Sequence, residues 1–318
     1  MTADVLPQLT AKVLAAAHPD PAAPCHCGAA TATLAHRPDT TVLRHAATVA
    51  KAHAPDTDPT ALARRLAVAA RLPDVFLPPL APAPTAFVDD RPVTLWPYGA
   101  PVDPDAPEAA PWEAAAALLA RLHRTPPVPG AVPPMRGPAK AAHAMARLRQ
   151  ALTAAGAHPA AEPLLRAWSA LPAWARAEAP ATPGRPRTLC HGDLHLGQLV
   201  RHPAPDGPWR LIDVDDLGLG DPAWDLARPA SWYACGLLPP DEWTRFLGAY
   251  RAAGGPAVPE DGDPWPALDV PARALTVQTG ARYLAKAIAA GRPLDEVEQS
   301  LIDACARMAP ECPFVQPG

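Results

Sequence analysis

Residues 189–200 read "LCHGDLHLGQLV", an apolar, strand-like run interrupted by His191, Asp193, His195 and Gln198. Four polar side chains within eight positions conflict with a buried strand, whose residues are near-continuously hydrophobic. A second run, "LIDVDDLGLGDPAWDLA" at 211–227, repeats the conflict, its Asp213 lying fifteen residues beyond Gln198. As one extended strand, 191–195 would place His191, Asp193 and His195 on a shared face. That is a two-histidine, one-carboxylate set suited to a transition metal and to metal-dependent hydrolysis. Gly192 and Gly197 favour a different structure, because strand interiors rarely hold two glycines. They allow a curled loop that presents Asp193 and Gln198 toward one point.

The loop carries a recognisable chemistry. Kinase-type phosphoryl transfer needs a carboxylate beside the acceptor hydroxyl, an amide oxygen on the metal and a second carboxylate bridging metal ions. Magnesium is a hard cation that takes oxygen ligands, so Gln198 and Asp213 are chemically suitable. Asp206-Gly207 is a hairpin signal between "QLVRH" and "WRLIDVD", and such a ribbon would hold both ligands at one end.

"HGDLHLGQ" with "IDVDDLGLGDPAWDLA" resembles the aminoglycoside phosphotransferase and choline kinase-like superfamily, small-molecule kinases whose wording is HGDxHxxN followed by a D and GDPxxDLA. The glutamine form, HGDxHxGQ, resembles bacterial maltokinases. The resemblance implies an α+β, two-lobed protein-kinase-like fold: a small antiparallel-sheet N-lobe with one main helix (1–98) and a larger helical C-lobe (99–318). It implies ATP and Mg2+ as cofactors and a hydroxylated small molecule as partner. Asp193 matches the catalytic carboxylate, Gln198 the metal-binding asparagine position and Asp213 the metal-bridging aspartate. His191 is expected to brace the loop by hydrogen bonding and His195 to be structural. Asp215 either assists near the metals or is a solvated loop carboxylate. Asp221 and Asp225 are expected to cap the next helix and brace the catalytic loop, since Asp before Pro222 suits a helix start.

In the first hundred residues, "TATLAH" and "TTVLRHAATVAKAH" read as strands, the latter turning near His45-Ala46-Ala47. "ATVAKAH" resembles the strand carrying the phosphate-binding lysine, here Lys51. "TLWPYG" resembles the hinge, where backbone around Leu95, Trp96 and Pro97 would meet adenine. Asp58 and Pro59 predict a helix N-cap and first turn. "VFLPPL", "PTAFVDD" and "RPVTLWPYG" read as short strands, with a bend at Asp89-Asp90. Amphipathic helices are expected at 111–123, in "PAKAAHAMARLRQALTAAG" and "EPLLRAWSALPAWARAE" (broken at Pro172), and at 222–236, 240–253, 268–290 and 293–308.

Two kinase parts are missing from the sequence. Gly28 is the only glycine before Gly99, so there is no glycine-rich phosphate loop. No glutamate precedes Glu108, so the helix from Pro59 cannot supply the usual acid partner of Lys51. Either Lys51 pairs with an aspartate such as Asp56, Asp58 or Asp74, or it is held by Asp213 and nucleotide alone, or the chain is a kinase-like module that binds nucleotide without efficient turnover.

Bulk properties narrow the class. A formal net charge of -4 over 318 residues gives no basic field for nucleic acid. No stretch approaches a membrane span, the N-terminus reads as a short helix rather than a signal peptide, and a cytoplasmic location is expected. The 46 prolines alternate with well-patterned helices and read as connections. Seven of the nine tryptophans follow residue 150, compatible with core or with sugar-stacking surface. Glu260, Asp261 and Asp263 form an acidic cluster, a solvated loop or a receptor for polycations. Cys25-His26-Cys27 could contribute to a zinc site, but no second CxxC or HxxxH pair accompanies it, so reduced thiols are the expectation.

Overall fold

A computed structural model describes residues 5–20, 25, 27–126, 132–180, 184 and 187–308. In chain order the first elements are α1 (Val5–Ala17), β1 (Ala32–Arg37), β2 (Thr40–His45), β3 (Thr48–Ala52), α2 (Pro59–Arg71), β4 (Ala86–Val88) and β5 (Arg91–Pro97). After them come β6 (Ala100–Pro101), α3 (Trp112–Arg124), α4 (Gly137–Ala155), α5 (Ala161–Ala170), β7 (Thr188–Cys190), β8 (Leu199–Arg201), β9 (Trp209–Leu211) and β10 (Gly218–Gly220). Helices α6 (Ala223–Ala234), α7 (Pro240–Ala252), α8 (Trp265–Ala290) and α9 (Glu296–Met308) finish the described chain. They form two compact units.

The first unit, Met1–Leu118, Pro127–Pro133 and Leu196–Leu217, is built on an antiparallel sheet of order β1-β2-β3-β5-β4. Two-residue turns close its hairpins. At Ala46 φ is 49°, and at Asp89 and Asp90 it is 45° and 64°, the left-handed values that match strand twist. Alternation on β2 and β3 turns Leu43, Ala50 and Ala52 inward. There they meet Leu9 and Val13 of α1 together with Val88 and Val93. Helix α2 starts as its sequence requires: the Asp58 carboxylate accepts from Thr60 N at 2.8 Å, and Pro59 takes the first turn. A smaller sheet, β6-β8-β9, belongs to the same unit. A Cβ on Gly99 would lie 2.5 Å from Val200 Cγ2, so glycine is what lets the chain enter β6 against β8.

The second unit, Leu119–Pro126, Pro134–His195 and Gly218–Gly318, is helical, with β7 and β10 paired antiparallel. Its core gathers Met145 and Leu148 of α4, Leu164 and Trp168 of α5, Val277 and Leu284 of α8 and Ile302 of α9. Gly280 lets α8 close on Leu164, whose Cδ2 a Cβ would meet at 2.8 Å.

Three details differ from the sequence-based expectation. "VFLPPL" forms no strand: only Phe76 bridges Leu211, because Pro78 and Pro79 have no N–H for a ladder. The β8–β9 connection is a longer loop, closed by Gly207 N on Pro203 O (2.8 Å) and His202 N on Pro208 O (3.2 Å), not a two-residue Asp-Gly turn. The compact units do not divide once near Gly99: the chain leaves the first unit within α3 and returns to it at 127–133 and 196–217. Among the described residues, no helix is long and apolar enough to cross a membrane.

Candidate active site

In the first unit, β3 carries Lys51 opposite Thr94 of β5. The ammonium is 8% exposed as a residue and lies 2.9 Å from Asp213 Oδ1 and 2.8 Å from Asp215 Oδ2. Burial by itself pulls the lysine pKa down, but the carboxylates of Asp213 and Asp215 outweigh it and hold the ammonium above its usual value. Asp215 shows the converse: burial pushes its carboxyl up, and the charges of Lys51 and then His53 hold it well below the usual carboxylate range. Lys51 is therefore not an exposed strand lysine. Of the four aspartates considered as its partner, only Asp213 contacts it through a described ion pair, and Asp215 supplies the second carboxylate.

His53 extends the cluster. Its Nδ1 lies 2.9 Å from Asp215 Oδ1 and its Nε2 2.8 Å from Thr94 Oγ1, which also accepts from Trp96 Nε1 at 2.9 Å. The Nδ1–Asp215 contact is a close charge contact without hydrogen-bond geometry, whereas Nε2 and the Thr94 hydroxyl are at hydrogen-bonding distance. The contacts lead from the proposed hinge residue Trp96 to the acid partner of Lys51. Leu95 O accepts from Leu80 N (2.8 Å) and Tyr98 N donates to Ala47 O (2.7 Å), so these hinge groups already have partners within the fold. Pro97 ends β5 opposite Thr48 and has no N–H to offer.

Gln198 sits immediately before β8 and Asp213 just beyond β9, where Ile212 N donates to Gln198 O at 2.9 Å. Their side chains meet, with Gln198 Nε2 3.5 Å from Asp213 Oδ2. Asp213 has φ of 64°, a strained left-handed conformation for a residue with a Cβ, of the sort that clusters at functional sites. An amide and a carboxylate brought together at a strained position make an oxygen donor set that fits Mg2+ once the amide turns its oxygen inward.

In the second unit, the run after β7 is a loop, not a strand, with Gly192 at φ 85°. This removes the shared strand face on which a His191–Asp193–His195 metal set depended. Asp193 Oδ1 receives Arg228 Nη2 at 2.7 Å and Oδ2 receives Lys140 Nζ at 3.1 Å. Burial raises its pKa, but Lys140 and Arg228 together draw it well below the ordinary carboxylate value. Arg228 also donates from Nε to Leu194 O at 3.0 Å. A small cavity beside Asp193 is lined by Lys140, Arg228, Trp224, Leu275 and Gln278.

Asp225 holds this loop from below. Its Oδ2 accepts from His191 N at 2.6 Å and from His123 Nε2 at 3.0 Å, and Oδ1 accepts from Gly192 N at 2.7 Å. Tyr250 OH takes Ala257 N at 3.0 Å and lies 2.7 Å from His123 Nδ1, so its hydroxyl hydrogen orients the imidazole. Asp221 Oδ1 accepts from Ala223 N at 3.0 Å at the start of α6. His191 is fully buried and its Nδ1 receives Asp193 N at 3.4 Å; His195 lies near enough to Asp193 to help lower its pKa. Glu260, Asp261 and Asp263 are exposed on the loop before α8.

Lys140, Arg228, His53, His123 and Tyr250 were not legible as site residues. His53 had a signal, since it shares a strand face with Lys51 two positions earlier. The others reach Asp193 and its loop only through tertiary packing within the second unit.

Residues 34–270 match the model of the phosphotransferase enzyme family. No curated protein matches the chain. Among solved structures, a choline/ethanolamine kinase family protein from Mesorhizobium loti is 18% identical, over 96% of this chain and 94% of that one, at a TM-score of 0.52. The macrolide 2'-phosphotransferase MphH from Brachybacterium faecium is 21% identical, over 96% and 99% of the two chains, at 0.51. An ADP-bound aminoglycoside phosphotransferase, APH(2'')-Ib, is 14% identical, over 94% and 99%, at 0.55. With three quarters of the chain matched and a fold shared from end to end, the chain belongs to the phosphotransferase enzyme family, a family of small-molecule kinases.

Proposed function

We propose that the chain is an ATP- and Mg2+-dependent phosphotransferase that moves the γ-phosphate to a hydroxyl of a small molecule, acting in the cytosol with its thiols reduced. The observation that carries this reading is the Lys51–Asp213–Asp215 cluster with Gln198 against Asp213. Bound Mg-ATP would supply the phosphoryl group and the divalent charge that neutralises it. Asp213 and Gln198 would hold the metal, and Lys51 would then keep Asp215 as its acid partner and remain available to phosphate oxygens. Asp215 thereby does the work of the missing glutamate, from a loop instead of a helix. Asp193, held ionised by two cations, orients the acceptor hydroxyl by accepting its hydrogen. Its low proton affinity makes it a poor store for that proton early in the reaction, so positioning dominates its contribution.

Lys140 and Arg228 place two positive charges on one carboxylate beside the cavity. A polycation entering there meets like charge, whereas a neutral or anionic polyol or sugar does not. The acidic cluster at 260–263 lies outside the residues lining this cavity. The test is transfer of labelled γ-phosphate in Mg2+ to a panel of sugars, polyols, macrolides and aminoglycosides. Turnover on neutral or anionic acceptors is expected. Nucleotide binding without turnover on any member would favour a catalytically inactive module, and aminoglycosides as the only acceptors would reject the charge argument.

A further inference from the structure

In sequence, Cys25 and Cys27 lack the second ligand pair that a zinc site needs, and the structure supplies it from elsewhere. His18 immediately follows α1 and His45 ends β2. Cys25 Sγ lies 3.1 Å from His18 Nε2, 3.1 Å from Cys27 Sγ and 3.4 Å from His45 Nε2. Cys27 Sγ is 3.3 Å from His45 Nε2, and the two imidazole Nε2 atoms are 3.1 Å apart. All four donor atoms fall within 4.8 Å of one another. His26 lies outside the described residues.

Hydrogen bonding alone does not account for this packing. An imidazole nitrogen has one site, either a hydrogen or a lone pair. Yet His45 Nε2 has three neighbours at hydrogen-bonding distance, His18, Cys25 and Cys27. A single cation among the four atoms would satisfy every contact at once. Tetrahedral zinc with ordinary bond lengths separates its sulfur and nitrogen ligands by roughly 3.3–3.8 Å, close to what is seen before a metal draws them into register. His45 is also oriented from behind: its Nδ1 lies 3.1 Å from Thr31 Oγ1, which leaves Nε2 facing the cluster. Metal-ligating histidines are held in this manner by a partner on the other nitrogen. Two thiolates and two neutral imidazoles would balance a divalent charge, and the sulfur-nitrogen set selects zinc over magnesium or calcium.

We propose that His18, Cys25, Cys27 and His45 form a structural zinc site that fastens the end of α1 to the β2–β3 hairpin. His45 stands three residues before Thr48, where β3 begins, and β3 carries Lys51. With four protein ligands and no open position, the site is built to hold structure and not to react. The segment 18–45 would then be closed by metal across the core that Leu9 and Val13 make with the sheet.

Elemental analysis of the full chain, purified without a histidine tag in a reducing buffer, is expected to find about one zinc per chain after gel filtration. Replacing that metal by cobalt should give the intense visible bands of tetrahedral Co2+ and a sulfur-to-metal charge-transfer band. Cys25→Ser with Cys27→Ser should abolish both, and His18→Ala should weaken retention while keeping the charge-transfer band. The cobalt spectrum of the unmodified chain decides the matter if the double variant fails to fold. Zinc below about a tenth of an equivalent after zinc is offered to the reduced protein, an octahedral cobalt spectrum, a Cys25–Cys27 disulfide in the reducing buffer, or unchanged zinc in a folded double variant would each overturn the proposal.

Discussion

At the scale of single residues, the site depends on how buried charges are paired. On the proposed reading Asp215 is the side chain that keeps Lys51 compensated when Asp213 turns to a metal; its other oxygen lies 2.9 Å from His53 Nδ1. Asp215→Ala should therefore lower kcat/KM for ATP by about 10- to 100-fold, about 1.4–2.7 kcal/mol, while circular dichroism stays unchanged. Steady-state kinetics with varied ATP measures it, and an unaltered kcat/KM would return Asp215 to the role of a surface carboxylate. Asp193 gives a pH prediction. Its folded pKa is depressed, so its ionised form, and the stability it adds with Lys140 and Arg228, is complete above the unfolded value of about 3.9 and is lost only as pH falls through the lower folded value. The kcat profile should show no acid limb from this group between about pH 5 and 8; a limb near 6 that vanishes in Asp193→Asn would contradict the assignment. Asp193, Gln198 and Asp213 stood out as candidates because the motif states their spacing. Lys140 and Arg228 were not, since one helical lysine and one helical arginine look like any other until folding sets them on a carboxylate.

At the scale of elements, the loop after β7 keeps its shape because Asp225 of α6 accepts three hydrogen bonds, two of them from the loop backbone. Burial raises the Asp225 pKa, and the hydrogen bond from His123 leads the effects that bring it below the usual value. Asp225→Ala leaves two backbone N–H groups and a buried imidazole without their acceptor, and should cost about 3 kcal/mol or more in urea unfolding. A loss under about 1 kcal/mol would mean that water replaces the carboxylate. Helices were the most legible elements because their caps and apolar periodicity are local: Asp58 and Pro59 start α2, and Pro172 lies just past the end of α5. The hairpin turns at Ala46-Ala47 and Asp89-Asp90 were also readable. "VFLPPL" misled because its hydrophobicity suits a strand while its two prolines refuse the hydrogen bonds that make one.

At the scale of the whole molecule, a boundary read from composition could only cut the chain once, whereas the folded chain passes between units several times. No local signal marks 196–217 as belonging with the first unit; there β8 pairs with β6 and β9. The same long-range pairing puts Gln198 and Asp213 in the unit that holds Lys51, although both motifs lie about 150 residues downstream of it. The substrate is the least legible property, since cavity chemistry is assembled from α4, α6 and α8. The central claim is that Asp193 orients an acceptor hydroxyl for transfer from a nucleotide held by the other residues. Single-turnover transfer by Asp193→Asn, with nucleotide affinity measured on the same sample, tests it most directly. Affinity within about threefold of the unmodified chain and a transfer rate at least about 100-fold lower are expected; transfer at an undiminished rate would contradict the role of Asp193.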